Sequence, residues 1–544
     1  RYMATYLHWL DSTPDWPISR QLWWGHRIPI WTRQTADGSE TYCGEIAPDG
    51  NGWVQDDDVL DTWFSSQLWP MGVFGWPEQT DDLKTFYPTT VLVTARDIIA
   101  LWVARMVMMG EHFMGKAPFS DVYINGTLLD HLGRRMSKSL GNGIDPIVMI
   151  EGGKQEYCGQ PFETDGFGAD GVRFVLATMT TEGQDLKIHP KRFEDGRNFI
   201  NKIWNVGRFV LTNLDGKPIA GRVDPAALPF EFRVILSKLN RAIRQAHDLD
   251  RFRFNEVAVA VRDFAWNEFC AWTVEGAKFY LRDDNDGEQR AAAGMTCHSR
   301  ESGNPSSSDP AISSSVRLVL AHVMDRMLRL LHPLCPFVTE ELWQLLKDIV
   351  PSRTLDGSTE TDACGNAERW LMTAQFPDSD AALIDDTLEA DMEIVRAAIT
   401  GVRAIRSSLA LPPRQVLDVH LSASTERVCM LLDRERKLIC DFAVCSIKEL
   451  GVGIAKPAQA AGNVTPDVSV FIPLGGLIDM DAELKRHQKE LEKVEKGIIG
   501  IEKKLSSPGF AANAPADVVE SEKARLESLK SKAAEIKAHI AGLG

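Results

Sequence analysis

The chain has 544 residues, 44% hydrophobic and 25% charged, ordinary proportions that exclude a disordered chain, a collagen-like fibre and a small disulfide scaffold. Its length suggests three or four domains. Lys and Arg number 60 against 76 Asp and Glu, a net charge of −16, so a nucleic-acid partner must be met by local basic strips on an acidic body.

The nine cysteines form no C-x-x-C pair, so neither a zinc ribbon nor a redox motif is supported, and thiols in a reducing compartment are expected. No uninterrupted apolar window of ~18 residues occurs, and no charged-then-apolar leader opens the chain. A cytoplasmic protein with no membrane contact is expected. The chain starts at Arg1 rather than Met, from which a preceding segment is also expected.

Residues 1–189 mix Gly and Pro turns with short apolar runs at 91–93 and 122–124 and a longer one at 98–109, the alternation of an α/β layer. Over 190–353 the period becomes helical. Ile203, Val206, Val210 and Leu214 share one face, while Arg197, Asn201, Asn205, Arg208 and Thr212 line another. Residues 254–281 and 316–350 also read as helix. The second breaks at His332-Pro333 and Pro336, and Thr339 with Glu340 and Glu341 reads as an N-cap and first turn. This is an all-α bundle. Between its helices, residues 295–315, with Ser306-Ser307-Ser308 and little apolar content, read as a disordered surface insertion. Residues 354–386 are a polar, turn-rich connection. Over 387–475 one helix, near 388–408, and two strands, 416–421 and 468–472, make a small α+β module.

In 478–544, Leu484, Leu491, Ile498 and Leu505 fall seven apart, with Met480, His487, Val494 and Ile501 on the alternate seam. A turn around Pro508 follows, and Leu526, Leu529, Ala533, Ile536 and Ile540 continue the 3,4 spacing. Two heptad helices from one chain predict an antiparallel coiled-coil hairpin, with self-association as the alternative. Its lysines, Lys489, Lys493, Lys503 and Lys504 among them, are largely balanced by acidic neighbours and by themselves argue little for a nucleic-acid contact.

The loop Gly133-Arg134-Arg135-Met136-Ser137-Lys138-Ser139-Leu140-Gly141-Asn142 sets two hydroxyls beside a lysine between glycines. Such a loop places a mobile ammonium and hydroxyl donors on a polyphosphate, although on physics alone a solvated basic turn suits it at least as well. It is not a Walker loop.

Arg135-Met136-Ser137-Lys138-Ser139 resembles the K-M-S-K-S signature of class I aminoacyl-tRNA synthetases, with Arg in the first position. The segment from Ile18 through Trp23, Trp24, Gly25 and His26 to Pro29 is similar to the one that follows the editing insertion in the valyl and isoleucyl types. Asp58-Val-Leu-Asp-Thr-Trp63-Phe-Ser-Ser66 resembles the valyl version. The resemblance, to the valyl branch, covers nearly the whole chain. It implies the second half of a Rossmann-type core over 1–189, a helical anticodon-binding domain over 190–353, the small module over 387–475 and a coiled-coil tRNA-binding arm over 478–544.

The resemblance also implies roles. Lys138 would be catalytic, stabilising charge on the α-phosphate and pyrophosphate, with Arg135, Met136, Ser137, Ser139 and Asp97 binding ATP. Trp24 and Trp63 would wall the amino-acid side chain, where without the family plain core aromatics would be the better reading. Lys489, Lys493, Lys503 and Lys504 would touch tRNA. The expected partners are valine, tRNA(Val) and ATP with Mg²⁺ as a substrate complex; no protein-bound metal is expected, and a monomer is. Departures are Ala95, where the family usually has Gly beside the nucleotide, and the lack of the H-I-G-H signature and of an editing domain, so the chain alone is expected to be inactive. An isoleucyl enzyme, or a non-catalytic tRNA-binding protein made from a synthetase's back half, are the rival expectations.

Overall fold

The computed structural model describes residues 2–180, 183–281, 309–358, 360–362, 364–366, 368–475, 480–505, 521, 524–533 and 537, with the side chains of 480–490 and 504 excepted. The chain divides into two compact units, Arg1–Ile200 with Ala246–Ala260, and Asn201–Gln245 with Val261–Gly544.

In the first unit the apolar run at 91–93 lies in the strand Thr89–Ala95, which pairs in parallel with Phe119–Asn125, Val91 opposite Asp121 and Ala95 opposite Asn125. A parallel pair needs a crossover. The apolar stretch supplies it: a 3₁₀ turn Arg96–Ile98, a π-helical turn Ile99–Val103 and the helix Ala104–Met114, ended by Gly115 in the left-handed region. Leu92, Val103, Met106 and Phe119 close the core between them. A second parallel pair joins Leu128–Leu129 to Leu186–Lys187. Both pairs are two-stranded pieces, not one wide sheet. Beyond them, Pro146–Glu151, with Asp145 as N-cap and Pro at its first position, packs with Ala169–Met179 around Met149, Phe167, Val172, Val175, Ile188 and Phe193.

The longer helices lie mostly in the second unit, although Phe193–Leu214 and the helical run from Phe254 begin in the first. Ile203, Val206, Val210 and Leu214, the apolar face of Phe193–Leu214, are all buried, and Asn201, Asn205, Arg208 and Thr212 lie on its wetter side. The helix expected over 254–281 is present but changes pitch, with Phe264–Thr273 wound as a π-helix between α-helical flanks. Two sequence expectations need correction. The expected insertion 295–315 does not reach Ser315. Asp309 accepts from the Ala311 amide at 2.8 Å, Pro310 opens the helix Pro310–Leu331, and Ser313 Oγ donates to the Tyr280 carbonyl at 2.6 Å. The serines of this first stretch satisfy their hydroxyls on backbone, which composition alone does not reveal; residues 295–308 lie outside the described residues. Thr339 is not an N-cap. Pro336 starts the helix Pro336–Ile349 three residues earlier, and Thr339, fully buried, donates back to the Cys335 carbonyl at 2.7 Å.

The polar connection does more than link. Asp325, fully buried, accepts from Arg329 Nε at 2.8 Å, Arg353 Nε at 2.7 Å, Arg326 Nη1 at 2.9 Å and Trp343 Nε1 at 2.8 Å. Glu360 and Glu368, both from the connection, pair with Arg326, Arg329 and Arg353. Three arginines thus meet three carboxylates. Asp325 suffers burial, yet the arginines hold its pKa well below the usual carboxylate range.

Downstream, the helix Asp386–Ser408 packs its apolar face on a four-stranded sheet ordered Cys445–Val452, Leu417–Ala423, Val468–Pro473, Ala460–Val464. The first two strands run parallel, and the crossover they require is made by the helices Glu426–Arg434 and Arg436–Ala443, which the sequence reading lacked along with the two outer strands. At the C-terminus the helix Met480–Leu505 meets the helical residues 524–533. Val494 and Ala533 are buried against Leu491, Ile498 and Leu529. Lys537 pairs with Glu495 at 2.8 Å and Lys530 with Glu502 at 3.1 Å, so the partner number falls as the other rises and the two segments run antiparallel.

Candidate active site

In parallel α/β layers, ligands meet the carboxyl ends of the strands, where loops converge. Here Thr89–Ala95 ends in the 3₁₀ turn that carries Asp97. Arg96, next to it, pairs with Asp185 at 2.8 Å, and Asp185 also accepts from the Thr127 amide at 3.2 Å, which ties this strand end to the second parallel pair. The Arg96 hydrogen bond leads in holding the Asp185 carboxyl below its ordinary pKa.

The loop at 130–142 is built on two fully buried polar side chains, Asp130 and Asn142. Asp130 Oδ1 accepts from the amides of Leu132 at 3.0 Å and Arg134 at 2.9 Å, and Oδ2 accepts from Arg134 Nε at 2.7 Å and Asn142 Nδ2 at 2.9 Å. Burial works against its charge, but these donors hold it well below the usual carboxylate range. Asn142 gives its second amide hydrogen to the Arg135 carbonyl at 3.0 Å and accepts from the Ser137 amide at 2.9 Å. Met136, between those two backbone groups, packs on the Met149 cluster.

From that base the tip projects. Ser137 Oγ caps the 3₁₀ turn Lys138–Leu140, accepting from the Leu140 amide at 3.3 Å, and lies 3.2 Å from Ser139 Oγ. Gly141 ends the turn at φ 57°, in the left-handed region that only glycine enters without strain. Lys138 is exposed and pairs with no carboxylate among the described residues. Arg135 reaches across to Asp97, Nη2 to Oδ2 at 2.6 Å. The structure therefore brings together Asp97, Arg135, Met136, Ser137, Lys138 and Ser139 in the first unit.

The two tryptophans are placed differently. The strand Ser19–Arg20 pairs with Val59–Leu60. Gly25 lies so close to Val59 that an added Cβ would sit 2.8 Å from Val59 Cγ2. Trp24 beside it is 88% exposed. Trp63 sits half-buried on the short helix Thr62–Ser66, its amide held by the Asp61 carboxylate at 2.8 Å, and Asp61 is paired with Arg20 at 2.6 Å. No ring contact joins Trp24 to Trp63 among the described residues. In the arm, Lys493 and Lys503 are exposed, and the side chains of Lys489 and Lys504 lie outside the described residues. Among the described residues no cluster of three or more His, Cys, Asp or Glu is arranged to hold a metal ion, and no helix is long and apolar enough to cross a membrane.

The sequence reading did not single out Asp130, the Asn142 side chain or the Arg96–Asp185 pair. The only signal for Asp130 was its spacing of four from Arg134.

Three families match the sequence: tRNA synthetases class I (I, L, M and V) over residues 1–189, the anticodon-binding domain of tRNA ligase over 233–421, and the valyl tRNA synthetase tRNA binding arm over 479–544. The valine–tRNA ligase of Bacillus subtilis (strain 168) is 38% identical over 552 residues, taking in 99% of this chain and 56% of the relative. That of Geobacter sulfurreducens is 39% identical over 538 residues, 97% of this chain and 54% of the relative. Among solved structures, a ternary complex of Agrobacterium radiobacter K84 LeuRS, tRNA and LeuAMS aligns with 70% of this chain and 45% of that one, at 19% identity and a TM-score of 0.46. The chain spans just over half the length of the curated relatives it matches.

Proposed function

Because this chain belongs to the class I tRNA synthetases of the valyl branch, we propose that it forms part of a valine–tRNA ligase, which activates valine with ATP to valyl-adenylate and passes it to tRNA(Val). The observation that carries the reading is the Lys138 loop, which rests on a buried polar base and is joined through Arg135 to Asp97 at the carboxyl end of a parallel strand.

The chemistry needs no protein nucleophile. The valine carboxylate attacks the α-phosphate of ATP, which arrives with Mg²⁺, and pyrophosphate leaves. Lys138, with no carboxylate partner of its own among the described residues, can meet the negative charge that gathers on those phosphates, and the Ser137 and Ser139 hydroxyls stand beside it as donors. Asp97 accepts from a ribose hydroxyl once Arg135 yields it, with Ala95 just before it at the end of the strand. Trp63 faces the valine methyls, and Trp24 completes that wall only if the segment 18–29 moves when the amino acid binds.

In the same reading the helices of 190–353 carry the anticodon surface, 387–475 is the small α+β module, and 478–544 is an antiparallel coiled-coil arm that lays Lys489, Lys493, Lys503 and Lys504 along tRNA phosphates. The match of residues 479–544 to the valyl arm favours valine over isoleucine. A single chain in the cytosol is the working unit. The test is ATP–pyrophosphate exchange by the intact protein with valine and with isoleucine in parallel. Exchange that depends on valine supports the proposal. Exchange that prefers isoleucine moves it to the sibling enzyme, and no exchange with either, beside tight tRNA binding, leaves a tRNA-binding protein.

A further inference from the structure

In that reading Lys138 is the cation of the loop that meets the phosphate charge, yet no carboxylate among the described residues holds it in place. Its orientation must come from the backbone on either side, and that backbone is set by one side chain. Asn142 has two amide hydrogens and one oxygen, and all three are spent within the loop: on the Asp130 carboxylate at 2.9 Å, on the Arg135 carbonyl at 3.0 Å and on the Ser137 amide at 2.9 Å. The last two are the backbone groups on either side of Met136. The side-chain amide thus stands in for a neighbouring strand, pairing with residues 135 and 137 as a peptide group would.

Asp130 fixes the bracket in turn. Both its oxygens are occupied, by the Leu132 and Arg134 amides on one and by Arg134 Nε and Asn142 on the other, and neither Asp130 nor Asn142 is exposed to solvent. Buried and fully satisfied, the pair has one arrangement in which every donor and acceptor is met, and any other leaves a buried polar group unpaired. Lys138 begins one residue beyond the bracketed Ser137 amide, and the turn returns to Asn142 through Gly141. The bracket therefore closes a six-residue span, 137–142, whose only cation is Lys138.

We propose that Asn142, held by Asp130, is a positioning residue for amino-acid activation: it sets the origin and direction of the Lys138 stem, so that the ammonium reaches the developing phosphate charge without a search. The proposal rests on the reading of the chain as part of a valine-activating enzyme. It goes further by assigning rate dependence to two residues that touch no substrate. A displacement of about 1 Å at a reacting group costs up to ~10²-fold.

The experiment is ATP–pyrophosphate exchange with valine on the intact protein, for wild type, Asn142→Ala, Lys138→Ala and the double variant, with a thermal melt of each. The expected result is a kcat lowered by roughly 10–100-fold in Asn142→Ala, with KM for valine within about threefold of wild type. If Asn142 acts through Lys138, the double variant is no slower than Lys138→Ala alone. A role in stability only predicts losses that multiply, and that outcome overturns the proposal, as does wild-type kcat in Asn142→Ala. Should Asn142→Ala not fold, Asp130→Asn, which keeps the volume and removes the carboxylate that Asn142 donates to, runs through the same cycle with the same expected non-additivity. The two readings fail differently. If wild type shows no valine-dependent exchange, or Lys138→Ala exchanges as wild type does, the function assignment is wrong. If Lys138→Ala is slow and the Asn142 and Asp130 variants are not, only the positioning role is lost.

Discussion

Asp130 and Asp325 are both carboxylates with no exposed surface, and they are satisfied in opposite ways. Asp130 is met mainly by its own loop, through two backbone amides, Asn142 and Arg134, all within twelve residues along the chain, with the Cys158 thiol at 3.7 Å as a longer fifth contact. Asp325 is met by three guanidiniums and an indole, and one of those arginines, Arg353, lies 28 residues away. The first arrangement mainly shapes a loop, with Cys158 and Tyr157 as its contacts to later chain. The second ties a helix bundle to the connection that follows it. Asp130 is met mostly by neutral donors of its own loop, and Asp325 mostly by opposite charges, two from its own helix and one, Arg353, from the chain that follows.

The contrast is sharpest on removal. Asp325→Ala leaves three arginines with only Glu360 and Glu368, and breaking such a buried ionic group costs about 3–5 kcal/mol. Urea unfolding of this variant should show that loss with valine activation per folded molecule unchanged, whereas Asp130→Asn should lose less in Tm and more in activation. Equal losses of stability in both would erase the distinction. At the loop itself, Lys138→Ala should lower valine activation by ~10²–10³-fold, the size expected for one transition-state donor, with Tm unchanged. A change under about threefold would return the loop to a solvated basic turn.

A third buried carboxylate tests whether the lesson extends. Glu231 has no salt bridge to an arginine among the described residues: Tyr280 donates to it at 2.9 Å, Glu435 stands nearby, and burial pushes its pKa up to about 7 against the pull of Tyr280 and Lys437. The folded state holds a proton that the unfolded chain releases near pH 4.5, so the stability it contributes is complete below that pH and is lost as pH rises through 7. Glu231→Gln should flatten this dependence and be the more stable protein at pH 8 by roughly 3 kcal/mol in denaturation profiles. Parallel profiles for the two proteins would mean that the carboxyl stays charged. The smallest effect is on the arm. Lys493→Ala with Lys503→Ala should raise KM for tRNA by roughly a few-fold at low salt, converge with wild type as salt rises, and leave valine activation alone. Loss of activation would mean that the two lysines do more than meet phosphate.

What the sequence revealed follows the same division. Periodic apolar faces announce themselves, and so the spacing of Ile203, Val206, Val210 and Leu214 was enough to assign them to the core. The Lys138 loop was visible from its residue types. Asp130 and Asp325 were not, because burial of a charged residue runs against composition and is revealed only by its partners. The strand Cys445–Val452 escaped because Lys448 and Glu449 interrupt its apolar alternation, and the serines of 313–315 passed for loop because hydroxyls that bond backbone look, in sequence, like hydroxyls that bond water.

The six-group ionic cluster also bears on the order of events during synthesis. Asp325, Arg326 and Arg329 leave the ribosome on one helix, and the carboxylate of Glu368 that completes Arg329 follows 39 residues later. At roughly 5–20 residues per second that is a wait of roughly 2–8 s. Until Glu360 emerges, Arg326 and Arg329 face only the one carboxylate of Asp325 in this cluster, and burying an unmatched cation costs several kcal/mol. The nascent bundle is therefore expected to close over these arginines only once the connection has emerged. A polar linker in sequence acts, in time, as the latch of the domain before it.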